Sequence, residues 1–333
     1  MHNSRILRGA LGLALVFHLA LLFGCTVPSP DAATTAAQPT PTVTVEPTVV
    51  PKTPTAPTGE PSLTPSAPAE GEPSSQEGPP PGEAEEDQIA PEEARGVRIT
   101  IVYDNYPYDP RLQTQWGFAA LVEFDGHTVL FDTGGDGPTL LGNLAELGID
   151  PSGIEAVVLS HIHGDHTGGL PDLLGTGIQP VVYVPASFPS SFKESVRLQT
   201  ELVEVSEPLD ILSGLHVTGE IGSAIVEQGL VVETGEGIVV ITGCAHPGIV
   251  RMVKRAHEMV PGEIALVMGG FHLGDAGRAS IGAIIADFRG MGVRQVSPTH
   301  CTGDLALQMF AEEYGDDFVQ GGVGRVIIVG PEP

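Results

Sequence analysis

The chain is 333 residues long and carries 42 acidic side chains against 15 basic ones, for a net charge of −27. Nothing in it resembles a basic stripe, which excludes the usual phosphate-neutralising route to nucleic acid; the acidity reads as a solubility device. The length allows one large domain or two smaller ones, and composition decides against an even split.

Residues 1–25, MHNSRILRGALGLALVFHLALLFGC, place Arg5 and Arg8 ahead of a short apolar run interrupted by His18. A charged start followed by a short apolar core is the pattern of a secretion signal, and the run is too short for a comfortable bilayer span. The stretch Leu22–Cys25, LFGC, resembles the lipobox of bacterial lipoproteins. That resemblance implies cleavage before Cys25, lipidation of its thiol, and an extracytoplasmic protein anchored to a bacterial membrane. Residues 26–95 are dominated by Pro, Thr, Ala, Ser and Glu. Such a segment cannot bury enough apolar surface to offset its ordering entropy, so a disordered linker is expected. As a polyproline-like stalk at ~3 Å per residue it would reach on the order of 200 Å.

From residue 96 the chain turns rich in Val, Ile, Leu and Gly, and a folded unit over 96–333 is expected. The alternating, β-branched run Val97–Tyr103 predicts a strand. Gly117–Phe124 and His127–Asp132 predict two more, joined at Asp125-Gly126, a strong hairpin signal. Leucine spacing predicts a helix over Pro138–Ile149, with proline suited to its first turn. Strands follow at Ile154–Ser160 and Pro180–Pro185, then a partly helical excursion around Ser191–Gln199. Residues 214–243 predict three further strands, with Thr234–Gly237 as a turn. Beyond them come a helix (Pro247–Met259), a strand (Glu263–Gly270), a helix (Ala279–Gly292), a strand (Val293–His300), a helix (Gly303–Gly315) and a last strand (Gly324–Val329). Periodicity alone gives an α/β fold in two halves, with sheets packed face to face and helices outside.

The chemistry concentrates at Ser160–Gly169, SHIHGDHTGG. His161 and His163 are one residue apart at a strand end, a spacing that points both imidazoles the same way. Gly164 permits a sharp change of direction, after which Asp165 and His166 approach from another side. Four donors thus converge on a volume fit for two cations. Imidazole with carboxylate suits zinc, iron or manganese better than calcium or magnesium, and two divalent ions, zinc foremost, are the expected cofactors. Cys244 and Cys301 each lie beside a histidine, in GCAHPG and THCTG; proximity to this site explains them better than a crosslink.

HIHGDH resembles the HxHxDH motif of the metallo-β-lactamase-fold superfamily, and Leu130–Gly135, LFDTGG, resembles that superfamily's first motif. The resemblance implies an αββα sandwich over about Val97–Val329 with metals at one edge. It also implies that Asp132 stands one step behind the metal, accepting a hydrogen bond from a ligand histidine. More narrowly, Asp104-Asn105, Trp116–Glu123, Thr242–Ile249, Gly269–Leu273 and His300–Gly303 resemble landmarks of a dihydropterin–ribofuranosyl-aminobenzene-phosphate synthase-like subfamily.

The chain departs from many superfamily hydrolases in VTGEIG (Val217–Gly222), which lacks a histidine, and in Cys244, which stands where a bridging Asp is usual. His246 and His300 are therefore expected to complete the ligand set of His161, His163, Asp165 and His166. His272 is expected either to coordinate or to donate to a substrate oxyanion. Cys244 and Cys301 are either thiolate ligands or neighbours packed beside the site. His127, His216 and His257 read as residues outside it.

The expected activity is hydrolysis of an ester or phosphodiester of a small molecule, with Asp165 as ligand and proton acceptor. The alternatives are a carbon–nitrogen-bond-forming, pterin-related phosphate synthase and a surface metal-binding protein.

Overall fold

The computed structural model describes residues 95–333. The expected signal segment, the lipidation residue Cys25 and nearly all of the linker lie outside the described residues.

Thirteen strands and seven α-helices follow one another along the described chain. The first half contains β1 (Val97–Asp104), β2 (Phe118–Phe124), β3 (His127–Phe131), α1 (Gly137–Glu146), β4 (Ala156–Val158), α2 (Gly164–Thr167), α3 (Leu170–Gly175), β5 (Val181–Pro185), α4 (Ser190–Arg197) and β6 (Leu202–Val205). The second contains β7 (Leu209–Leu212), β8 (Leu215–Val217), β9 (Leu230–Thr234), β10 (Gly237–Thr242), α5 (Ile249–Met259), β11 (Ile264–Gly270), α6 (Arg278–Gly290), β12 (Gln295–Thr299), α7 (Asp304–Tyr314) and β13 (Val326–Val329).

The strands form two sheets, in the orders β13-β1-β2-β3-β4-β5-β6 and β12-β11-β10-β9-β8-β7. Strand β13 crosses from the end of the chain to pair with β1, tying the two halves together.

Because side chains alternate along a strand, a sheet buried on both faces needs apolar residues at both parities. Strand β10 shows this. Val239 and Ile241 face the core between the sheets, where they meet Val97, Ile99 and Phe131. Ile238 and Val240 face the opposite way, against Met252 and Val253 of α5 and Phe288 of α6. The outer face of the first sheet is covered in the same manner by Leu140 and Leu144 of α1, Leu173 of α3 and Val196 of α4. The result is the αββα sandwich. Each fully buried Val, Leu, Ile or Phe contributes about 1.5–3 kcal/mol of transfer free energy, so the layers are held by area rather than by ion pairs.

Local chemistry sets some element ends. Asp136 caps α1 by accepting from the Thr139 amide at 2.8 Å, while the Tyr103 hydroxyl donates to its second oxygen. Two strands escaped the sequence pattern. Strands β6 and β7 are four residues each and partly exposed, with little of the apolar alternation that marks a buried strand. Helix α5 starts at Ile249 rather than Pro247, and β4 is shorter than the apolar run that predicted it. No helix among the described residues is long and apolar enough to cross a membrane.

Candidate metal centre

Strands β3, β4 and β5 run parallel in one sheet, and β10, β11 and β12 in the other. Their C-terminal ends bring Asp132, His161, Cys244, Phe271 and His300 to neighbouring tips. The sheets touch at Gly243, where a Cβ would lie 2.1 Å from Ser160 Oγ and 2.9 Å from Asp132 Oδ2. Only glycine permits that approach. Gln228 stitches the same edge, its backbone amide donating to Ser160 O and its side chain to Leu159 O.

Three imidazole nitrogens converge first. His163 Nδ1 lies 3.1 Å from His161 Nε2 and 3.2 Å from His246 Nε2. One ring nitrogen cannot satisfy both neighbours with a single proton. Donors around a tetrahedral zinc, at 2.0–2.1 Å, sit about 3.3 Å apart, so the spacing matches nitrogens that share an ion. A second group adjoins it: Asp165, His166, Cys244 and His300 offer donor atoms within 4.8 Å of one another. Asp165 also groups with His161 and His163, and Cys244 with His161 and His246, so these two residues belong to both clusters. His300 Nε2 is buried without a hydrogen-bond partner, although Asp165 Oδ2 is 3.4 Å away. An orphaned buried nitrogen aimed at a carboxylate and a thiol is what a metal ligand looks like.

The outer contacts choose the tautomers. Asp132, fully buried, accepts from the Ser160 amide and hydroxyl and from His166 Nδ1, each at 2.7 Å. The Ser160 hydroxyl in turn faces His161 Nδ1 at 2.9 Å. Asn105 Oδ1 accepts from His300 Nδ1 at 2.8 Å, and its amide donates to His300 O. In all three histidines Nδ1 is engaged from behind, which turns Nε2 toward the centre. Burial, reinforced by the neighbouring imidazoles, drives His161 far below the ordinary histidine range; burial and then His272 bring His246 down to about 4. Burial pulls Asp165 upward, but the adjacent His300 and His166 outweigh it and hold the carboxyl below its usual range. Burial pulls His166 down as well, but the Asp132 carboxylate outweighs it and raises that imidazole; neutral His161 and His246 and an ionised Asp165 are the forms that bind divalent cations.

Glu227, which sequence reasoning passed over, shapes the loop carrying Cys244 and His246. It is fully buried, and its carboxylate accepts backbone N–H bonds from Gly243, Cys244, Ala245 and His246 at 2.8–3.1 Å. Its only signal was an acidic residue inside the apolar run SAIVEQGLVV. Ser160 and Asn105 were likewise not singled out for the roles they play. The backbone is strained where the site is built: Asp132, Ala245, His272 and His300 all have φ of 52–59°.

The structure also corrects one expectation. Gly164 is not a special turn residue: it opens α2 in helical conformation, and a Cβ there would meet nothing within 4 Å. The change of direction comes from the helix start itself, with His163 as the extended residue before it. His272 is exposed at the rim, its ring 4.2 Å from that of His246, and it groups with Cys244 and Cys301. Both cysteines are free thiols. His127 pairs with Glu155, and His216 lies between Asp210 and Glu233, as expected of residues outside the site.

The description of the metallo-beta-lactamase superfamily matches residues 117–279. Residues 117–279 therefore carry a metallo-β-lactamase superfamily domain. The chain is 28% identical to the 7,8-dihydropterin-6-methyl-4-(beta-D-ribofuranosyl)-aminobenzene-5'-phosphate synthase of Methanocaldococcus jannaschii, over 68% of this chain and 95% of that one. A ribonuclease Z of Bacillus cereus is 34% identical, but over only 35% of this chain and 34% of that protein. Among solved structures of the superfamily, Tm1679, a metal-dependent hydrolase, superposes with a TM-score of 0.60 at 28% identity, covering 71% of this chain and all of that one. YhfI of Bacillus subtilis shares the superfamily fold at 15% identity and a TM-score of 0.51, over 70% of this chain and 99% of that one.

Proposed function

We propose that the chain is a metal-dependent hydrolase with a dinuclear centre, zinc in both places, acting on an ester or phosphodiester of a small molecule. The reading rests on one observation: the three imidazoles around His163 Nδ1 abut the Asp165, His166, Cys244 and His300 group, and Asp165 and Cys244 each also group with two of those imidazoles. His161, His163 and His246 would hold one ion, and Asp165, His166, Cys244 and His300 the other. Two bound divalent ions supply a water of near-neutral pKa and charge stabilisation for the developing oxyanion. Asp165 would take the proton from the attacking water as the scissile bond to the leaving oxygen breaks. His272, at the rim, with its pKa raised by the neighbouring Cys301 sulfur as hydrogen-bond acceptor against the pull of burial, would donate to a substrate oxygen. Similarity to the hydrolase Tm1679 over the whole of that chain supports the same reading. The test is turnover of bis(p-nitrophenyl) phosphate and p-nitrophenyl acetate with and without chelator. A His163→Ala protein with undiminished, chelator-insensitive turnover would refute it.

A second reading keeps the metals and forms a carbon–nitrogen bond on a pterin precursor. The similarity to the archaeal synthase along 95% of its length favours it. It is tested by looking for a pterin product from the purified chain supplied with a phosphorylated hydroxymethyl-dihydropterin and an aminobenzene ribosyl phosphate, the amine displacing the phosphate group and losing its proton.

For location, we propose export and lipid anchoring through Cys25, supported by the LFGC stretch and the Pro/Thr-rich segment behind it. Cell fractionation with intact-mass analysis of the N-terminus tests this, and an unlipidated cytoplasmic product overturns it.

A further inference from the structure

The chain has a single tryptophan. It is not in the core: Trp116 is 57% exposed, and its ring lies 4.8 Å from that of His300, tilted by 51°. Lone exposed apolar residues are ordinary on protein surfaces. This one is held in place. Gly117 follows it with φ +145°, and a Cβ there would meet Asp165 O at 2.5 Å. A Cβ on Gly135 would meet Trp116 O at 2.8 Å. Two glycines therefore let the Trp116 backbone press onto the start of α2, which carries Asp165, and the Gln115 amide is tied to Asp104 O on the other side. A second exposed apolar residue, Ile162, stands between His161 and His163. The polar centre thus carries an exposed indole beside His300 and an exposed aliphatic side chain between His161 and His163.

We infer that Trp116 is a specificity-determining residue, a stacking platform for a planar aromatic or heteroaromatic group carried by the substrate beside its reacting phosphate or ester. The ring already rests on the imidazole of a candidate ligand, so a flat group laid on its open face is held within reach of the metals. An indole offers a large π surface at little cost in side-chain entropy, and aromatic pairs add to area burial. The inference rests on the reading of the cluster as the reaction centre, and it fixes the class of substrate.

The test is calorimetric titration of the zinc-loaded full chain with phenyl phosphate and with methyl phosphate, two ligands with the same anion. Phenyl phosphate should bind roughly tenfold more tightly, the scale of one good aromatic contact. It should also change the emission of the one tryptophan, which methyl phosphate should do far less. In Trp116→Ala the preference should collapse to about twofold or less, whereas Trp116→Phe should keep most of it, with zinc content checked in both. Equal affinities in the wild type, a phenyl preference that survives in Trp116→Ala, or failure of both phosphates to bind overturns the inference. Loss of chelator-sensitive turnover is a separate result and bears on the hydrolase reading alone.

Discussion

Asp132 Oδ2 lies 2.7 Å from His166 Nδ1, and both side chains are fully buried. The carboxylate fixes which nitrogen of His166 carries the proton, and through the Ser160 hydroxyl it reaches His161 as well. One residue thus orients donors in both clusters. Asp132→Ala should lower metal affinity or turnover about 10- to 100-fold, the usual effect of removing such a partner. Asp132→Asn should be nearly as damaging, because an amide can present a donor where His166 needs an acceptor. Metal content by elemental analysis after dialysis checks both.

Cys244 should be visible directly. With cobalt in place of zinc, the wild type should show a thiolate-to-cobalt charge-transfer band in the near ultraviolet. Cys244→Ser should lose the band and bind the ion of the Asp165, His166 and His300 cluster more weakly. Cys301→Ser should keep the band, since Cys301 groups only with Cys244 and His272 and not with Asp165, His166 and His300. A band unaffected by Cys244→Ser would remove the thiol from the ligand set.

Glu227 holds the Cys244–His246 loop from beneath. In Glu227→Gln one oxygen is replaced by an amide that faces backbone N–H groups, leaving at least one buried donor unpaired. A loss of roughly 1–3 kcal/mol is expected, measured by denaturant unfolding of the metal-free protein. Glu227→Ala should cost more and should also reduce the metal content, because His246 would no longer be fixed.

The pH dependence of the metal-free fold has a definite sign. His246 titrates near 4 when folded against 6.5 for the free side chain, so between these values the unfolded chain binds more protons. Its unfavourable contribution is absent above 6.5, grows as the pH falls toward 4 and is complete below that. The buried Asp104 carboxyl, raised by burial to about 6, has the opposite sign: its cost appears as the pH rises from 3.8 through 6. Comparing unfolding free energies of wild type and His246→Asn across pH 4 to 7 separates the two. Without His246 to offset the Asp104 cost, the variant's stability should fall more steeply as the pH rises from 4 to 6, and an unchanged slope would remove His246 from the account.

The centre was more legible in the sequence than the frame around it. HIHGDH compresses four donors into six residues, and TGCAH and THC follow buried strands, so those histidines could be placed without knowing which strands pair. What could not be seen depends on pairing. Glu227 matters because a chain reversal sets it beneath a loop sixteen residues further on, and Asn105 because β1 and β12 end side by side. Strands β6 and β7 escaped because half-exposed edge strands need little apolar patterning, their pairing being supplied by neighbours. Gly164 was over-read: a glycine in a motif suggests an unusual torsion, but here a helix start does the turning.

Five non-glycine residues among the described ones have positive φ, and four of them, Asp132, Ala245, His272 and His300, sit at the strand tips around the cluster. Among the described residues, the strained non-glycine torsions are concentrated around the candidate centre rather than along the sheets. Frame and workplace are therefore separable for protein engineering. The sandwich should tolerate repacking or stabilising changes well away from the tips, while new reactivity should be sought in the rim residues that carry none of this torsion.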